Sequence, residues 1–299
     1  MRHALLLVLL VASLAACKDK SPAQQNGIQP DPSASAQAAN VLTIVPRVPA
    51  VGTKWQETRK NQMKLTMTID LGLARNSATL DDRETTIEKS EVLGVDGKIV
   101  TKKKLTYVEK TKVQSENGKE KVATTPVLGK TYVLAMVAGK PTVTDEAGKS
   151  VPTEEEDVVL KSHRAFGKPD PMIDGMPEGA IRIGDDVPKL KKALQDNLTD
   201  ADDGKERPEF IVNEVKLTGI EKGNEPTGVF SVKITVQTPK DSKDPFAMNA
   251  TLTGTMKLRA KDGWLSGMEL TGPLTLQGKD PSLKVEGKGE MKMQFTNVY

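Results

Sequence analysis

The chain has 299 residues, with Lys+Arg 43 against Asp+Glu 40, a formal net charge of +3 and only 3% aromatic residues. So small a positive surplus makes no basic footprint, and so few aromatics give few stacking platforms, which excludes nucleic-acid binding as the expected function. A single cysteine, Cys17, and two histidines leave neither a disulfide framework nor a Cys/His zinc site, so no metal and no cofactor is expected and the body depends on its own core.

The first predicted element is an export signal, residues 1–16. Arg2 gives a short basic start, and residues 4–14 are almost wholly apolar, too short a run to span a bilayer as a stable helix. The segment ends in Leu14-Ala15-Ala16-Cys17, which resembles the lipobox of bacterial lipoproteins. The resemblance covers the signal segment alone. It implies cleavage before Cys17, a thioether-linked diacylglycerol on the Cys17 sulfur and an acyl chain on the new amino group. Three chains exceed the two signals that lasting anchorage needs. Lys18, not Asp, follows the cysteine, and the resemblance then implies the outer membrane of a Gram-negative bacterium. The expected partner is therefore the membrane, reached through lipid on Cys17.

Residues 17–40 are rich in Ala, Gln, Ser, Pro and Asp, with no aromatic residue and almost nothing to bury. They read as a disordered tether with a span of about 25 Å as a flexible coil.

From residue 41 the pattern is that of β structure. Met63, Leu65, Met67, Ile69 and Leu71 alternate with polar residues, as in a strand with one buried and one wet face. Residues 99–113 continue the alternation, bracketed by the hairpin signals Asp96-Gly97 and Asn117-Gly118. Residues 131–143 are more uniformly apolar and read as one central strand. Later runs centre on Phe230 to Val236, Phe246 to Leu258, Met268 to Leu276 and Leu283 to Phe295. A run of a dozen residues reaches roughly 40 Å at about 3.3 Å each. Strands that long have to coil, so the expected fold is mainly β: a strongly curved antiparallel sheet or half-barrel.

Two helices interrupt this pattern. Thr153 and Glu156 have the spacing of a capping box and open a helix over 152–165; Val187, Leu190, Leu194 and Leu198 mark a second over 187–198. Residues 167–184 between them, rich in Gly, Pro and Asp, read as a loop. A short echo joins the halves, since residues 49–54 and 181–186 share an apolar-x-apolar-Gly-polar form. It allows two lobes, 41–166 and 181–299, within one body of residues 41–299. The β blocks, with Gly263-Trp264-Leu265 in a late strand, resemble those of uncharacterised β-rich envelope lipoproteins, including half-barrel lipoprotein carriers.

Residues able to do chemistry are scarce. His163 is the one histidine beyond the signal, expected on a partly exposed helix face, and no Gly-x-Ser-x-Gly elbow offers it a nucleophile. The acids of residues 200–204 lack the third acid and the bidentate Glu of a calcium loop and read as a solvated turn. Glu154-Glu155-Glu156-Asp157 reads as acids at a helix N-terminus, and Asp81-Asp82 as a turn or strand edge. No catalytic residue is assigned, and the protein is expected not to be an enzyme.

Methionine is the unusual signal. Met248, Met256, Met268, Met291 and Met293 fall on apolar strand faces, as do Met63 and Met67. They can fill gaps in a core short of aromatics. Alternatively they line a cavity for an acyl chain, with Gly254, Gly272, Gly287 and Gly289 leaving space on the same faces; thioether binding of Cu(I) by Met291 and Met293 is the third choice. The alternation of Met291, Met293 and Phe295 up to Tyr299 also resembles the last strand of an outer-membrane barrel, though the girdles of aromatics are missing. Two functions follow: a non-enzymatic scaffold or interaction module of the envelope, with an envelope protein as partner, or a carrier or sensor of an apolar ligand.

Overall fold

The computed structural model describes residues 40–70, 75–200, 208–280 and 284–299. The lipobox residues Leu14 to Cys17, the tether and most of the 200–204 loop lie outside the described residues. The elements in chain order are β1 (Val41–Thr43), β2 (Lys54–Asp70), β3 (Arg75–Asp96), β4 (Ile99–Glu116), β5 (Lys119–Thr124), β6 (Thr131–Val137), β7 (Lys140–Thr144), α1 (Thr153–Ser162), α2 (Pro171–Asp174), β8 (Ala180–Arg182), α3 (Pro188–Asp200), β9 (Glu209–Glu221), β10 (Thr227–Gln237), β11 (Phe246–Arg259), β12 (Leu265–Gly278) and β13 (Lys284–Val298).

The fold is mainly β, as the alternation predicts. One large antiparallel sheet runs in the order β7-β6-β4-β3-β2-β13-β12-β11-β10-β9, with β5 on β4, and a small sheet pairs β1 with β8. Its edges, β7 and β9, do not meet, so the sheet is open and not a closed barrel. β13 pairs along its whole length with β2, which joins the two anticipated lobes, 41–166 and 181–299, through one sheet. The exposed edge of β9 is itself covered. Val187 N–H donates to the Val215 carbonyl at 2.9 Å, and the Gln195 side chain caps both Phe210 O and Val212 N at 2.7 Å. A covered edge is a poor template for pairing with other chains.

Curvature has visible causes. Register shifts interrupt β3 against β4, β9 against β10 and β11 against β12, and each bulge bends its strand. The glycines act differently from the expectation. A Cβ placed at Gly254, Gly272 or Gly289 would collide with the backbone of Glu269, Thr251 or Lys64 on the neighbouring strand, and at Gly287 it would press on Leu276 and Leu65. These positions are empty because neighbouring chains approach closely there, so they leave no room for a ligand. Gly289→Ala should therefore lower stability by about 3 kcal/mol, as an overpacked core does, measurable as a reduced midpoint in urea unfolding.

Two apolar clusters cover the inner face. The larger joins β2, β9 to β13, Leu42 and Ile181 of the small sheet, and Leu190 and Leu194 of α3. The smaller gathers Leu105, Tyr107, Val127, Tyr132, Leu134 and Val143 under Val159 of α1. Between them β3 buries Asp82, Thr86, Glu88 and Ser90.

Several sequence expectations shift. Residues 131–143 form an edge hairpin, β6 and β7, in place of a central strand: Ala138 and Gly139 take φ of 50° and 77°, and Pro141 sits where an edge tolerates a missing donor. Residues 171–174 and 180–182 of the anticipated loop are α2 and β8, and Asp81-Asp82 lies inside β3. Gly263 and Trp264 occupy the turn before β12. The expected capping box at Thr153 does not form, because Pro152 takes the N-cap position and no side chain caps the helix. Glu155 turns inward, accepting from Lys130 Nζ at 2.6 Å and from Tyr132 Oη at 2.7 Å, and so ties α1 to β6.

Candidate functional site

The concave face holds a cavity of about 550 Å³ at one end of the long strands, within the roughly 300–1,000 Å³ of small-molecule sites. Its floor is apolar: Met63, Leu65 and Met67 of β2, Met248 of β11 and Leu276 of β12 are all buried. Leu80 and Phe246, partly buried, extend it. The alternation of β2 produces this floor, since every second side chain from Met63 to Met67 faces the same way. The rim is polar and comes from different elements. Gln114, Glu116, Asn117, Lys119 and Lys121 enter from the β4–β5 hairpin, and Thr238 and Asp244 from the β10–β11 connection. That residues of β5 and of β11 line one space is the direct sign of how far the sheet curls.

Of the five methionines picked out as cavity lining, Met248 alone is in this wall. Met256 is fully buried and Met291 nearly so in the large core, while Met268 and Met293 pack against it from partial burial. Met63 and Met67 do line the cavity, together with residues the sequence did not single out. The alternating pattern marks which faces are apolar but not which strand ends stay uncovered by a helix. Among the described residues no three His, Cys, Asp or Glu side chains are placed to hold a metal.

Along β2 the floor gives way to charge. Asn61, Arg59 and Glu57 continue the phase of Met63, and Asn61 is buried with no hydrogen-bond partner for its side-chain oxygen. Beyond them lies a cluster that the sequence reading missed. Glu88 of β3 is 2% exposed; its carboxylate meets His163 Nε2 at 3.0 Å, Lys103 Nζ at 3.8 Å and Arg59 Nη2 at 4.0 Å, and accepts from Ser90 Oγ at 3.0 Å. Arg59 also reaches Glu57 at 2.5 Å. His163, expected on an exposed helix face, is the C-cap residue of α1 and is turned inward. Lys103 Nζ lies 3.1 Å from its Nδ1. An ammonium can only donate, so Nδ1 accepts and the ring proton sits on Nε2, with Glu88 Oε2 at 3.0 Å and Tyr107 Oη at 3.4 Å beside it. That geometry holds the ring neutral. Burial pushes its pKa down to about 4 against the pull of Glu88. Burial alone would raise the Glu88 carboxyl, but His163, Lys103 and Arg59 hold it well below the ordinary range.

The polar inner face of β3 and β4 continues from this cluster to the cavity. Asp82 lines the cavity, accepts from Gln114 Nε2 at 3.0 Å and lies 3.9 Å from Lys112 of β4. The arrangement is an apolar pocket with a polar rim beside a self-neutralised ionic cluster. Both ring nitrogens of His163 are engaged, which leaves it no lone pair for proton abstraction.

No family model and no curated protein matches the chain. Among solved structures, the chain aligns with DynF from the dynemicin biosynthesis pathway of Micromonospora chersina at 10% identity and a TM-score of 0.17, covering 93% of this chain and 92% of that one. The translocator domain of the autotransporter NalP from Neisseria meningitidis aligns at 12% identity and 0.19, covering 84% and 90%. A DUF1329 family protein from Desulfovibrio piger aligns at 8% identity and 0.15, covering 80% and 85%. Scores this low do not establish a common fold.

Proposed function

We propose that the protein is a lipid-anchored, non-enzymatic binding module of the bacterial envelope whose curved sheet carries an apolar or amphiphilic ligand. The observation that supports this is the cavity of about 550 Å³ with its buried floor of Met63, Leu65, Met67, Met248 and Leu276. A sheet acting only as a scaffold has no use for a recess of this size with an apolar floor and a polar rim, whereas ligand sites are concave and mostly apolar. Between the scaffold and the carrier that the sequence allows, the cavity favours the carrier. Unbranched methionines suit a floor that accommodates chains of varied shape.

The anchor belongs to the same proposal. Lipid on Cys17 places the body at a membrane, and the tether of residues 17–40 lifts it clear of the headgroups. Among the described residues no helix is long and apolar enough to cross a bilayer. Cys17→Ala should release the protein from the membrane fraction to the soluble one, and its intact mass should lack the acyl chains. Continued membrane association with an unchanged mass would refute the anchor.

Ligand binding is tested separately by titrating an environment-sensitive fluorescent acyl probe into the full chain carrying Cys17→Ala, prepared without detergent. Saturable binding near one probe per chain, competed by unlabelled fatty chains, supports the carrier. A probe signal no larger than that of a closed-core protein rules it out.

A further inference from the structure

Resting on the carrier reading, we infer that the cavity selects a single-chain amphiphile with an acidic head, a long-chain fatty acid, and that Lys119 and Lys121 recognise the carboxylate.

β5 divides its charges between the two faces of the sheet. In Lys119-Glu120-Lys121 the side chains alternate across the strand. Glu120 is on the outer face, where it pairs with Arg83 of β3. Both lysines turn to the other face and line the cavity. Neither has an ion-pair partner among the described residues, and of the lysines in the sheet these two are the ones that line the cavity.

The acids of the same wall do not satisfy them. Asp82 is engaged by Gln114 and Lys112, and Asp244 accepts from Ser242 Oγ at 3.2 Å. Glu116 stands opposite Lys119 in the strand register without pairing to it. Lys121 is opposite Gln114, which cannot neutralise it. The rim thus presents two exposed ammonium groups without an ion pair beside an apolar floor. A carboxylate at the end of a fatty chain matches both halves: the chain replaces water on Met63, Leu65, Met67, Phe246 and Met248, and the head accepts charge-assisted hydrogen bonds. A neutral head would gain only the first of these, and a cationic head would have Glu116 as its partner in place of the two lysines.

Oleate, oleyl alcohol and oleylamine are compared by competition against the fluorescent acyl probe, on the full chain carrying Cys17→Ala. Oleate should bind about tenfold more tightly than the alcohol at low salt, the scale of two rim ion pairs, and the preference should shrink as salt screens it. Lys119→Gln with Lys121→Gln should abolish the preference while leaving the alcohol unchanged, and Glu116→Gln should widen it. Equal affinity for oleate and alcohol, a preference for the amine, or a preference that survives the double lysine variant overturns the inference and leaves the cavity reading intact. Binding of none of the three ligands overturns the cavity reading and this inference together.

Discussion

Met248→Trp should abolish binding of an acyl probe while the protein stays folded, and Met256→Trp should do the reverse. The two methionines lie on the same strand and the same face, and both are buried. They differ in what surrounds them. Met248 borders the cavity, so an indole there projects into open volume and displaces ligand; Met256 is enclosed in the packed core, where added bulk has nowhere to go. Overpacking of a filled core costs roughly 1–3 kcal/mol, whereas filling a void removes part of the penalty the void imposes. Probe titration and thermal unfolding of both variants make the comparison. The expected result is at least an order-of-magnitude loss of affinity in Met248→Trp with a melting temperature close to that of the parent, and a lowered melting temperature with retained affinity in Met256→Trp. Equal loss of affinity in both would mean that the probe reports general loosening of the sheet.

The second large effect belongs to the ionic cluster on β2, β3 and β4. Glu88→Ala should destabilise the body by about 3–5 kcal/mol, the usual result of removing one partner from a buried pair, because Lys103, His163 and Arg59 would lose the carboxylate they face. The same cluster dictates a pH dependence with a definite sign. The folded His163 pKa, about 4, lies below its ordinary 6.5, so the unfolded chain takes up the proton first as pH falls through that interval. The contribution of His163 to stability is fully present above pH 6.5 and declines toward pH 4. Glu88, whose pKa is lowered by folding, adds to the loss once pH drops below its unfolded value of 4.5. His163→Gln keeps a donor for Glu88 and an acceptor for Lys103 but cannot titrate. Denaturant midpoints measured between neutral pH and pH 4.5 should therefore fall less steeply in His163→Gln than in the parent. Identical slopes would place the acid sensitivity elsewhere.

The sheet was legible in the sequence because its burial is periodic. From Met63 to Met67, in β10 and in β11, apolar and polar residues alternate cleanly, and these strands stand where the pattern puts them. β3 escaped notice because its inner face is Asp82, Glu84, Thr86, Glu88 and Ser90, polar on both sides of the strand; its partners on β2, β4 and α1 are distant in sequence. β9 carries no clear strand signal because two bulges break its alternation against β10. The edge hairpin at 131–143 resembles one strand in sequence because Ala138-Gly139 is a weak turn signal next to Asn117-Gly118.

The candidate site divides in the same way. That methionines occupy apolar faces follows from alternation, but which of them border empty space depends on where α3 and the small sheet cover the large one. Met256 and Met248 share one pattern and have different fates for that reason. His163 shows the limit of counting residues: a lone histidine on a short helix carries no sign in the sequence that Glu88 and Lys103 will enclose it. Glycines at 254, 272 and 289 likewise have two readings, vacant space or close approach, and only the position of the neighbouring strand decides between them.

The central claim is that the concave cavity is occupied by a fatty chain. Native mass spectrometry of the full chain carrying Cys17→Ala, isolated from bacterial cells without detergent, tests it most directly, with Met248→Trp isolated in parallel. The expected result is an adduct of about one chain-length amphiphile per protein in the parent, released on solvent extraction and absent from Met248→Trp. A parent that flies bare under gentle conditions and stays bare after incubation with oleate would contradict it.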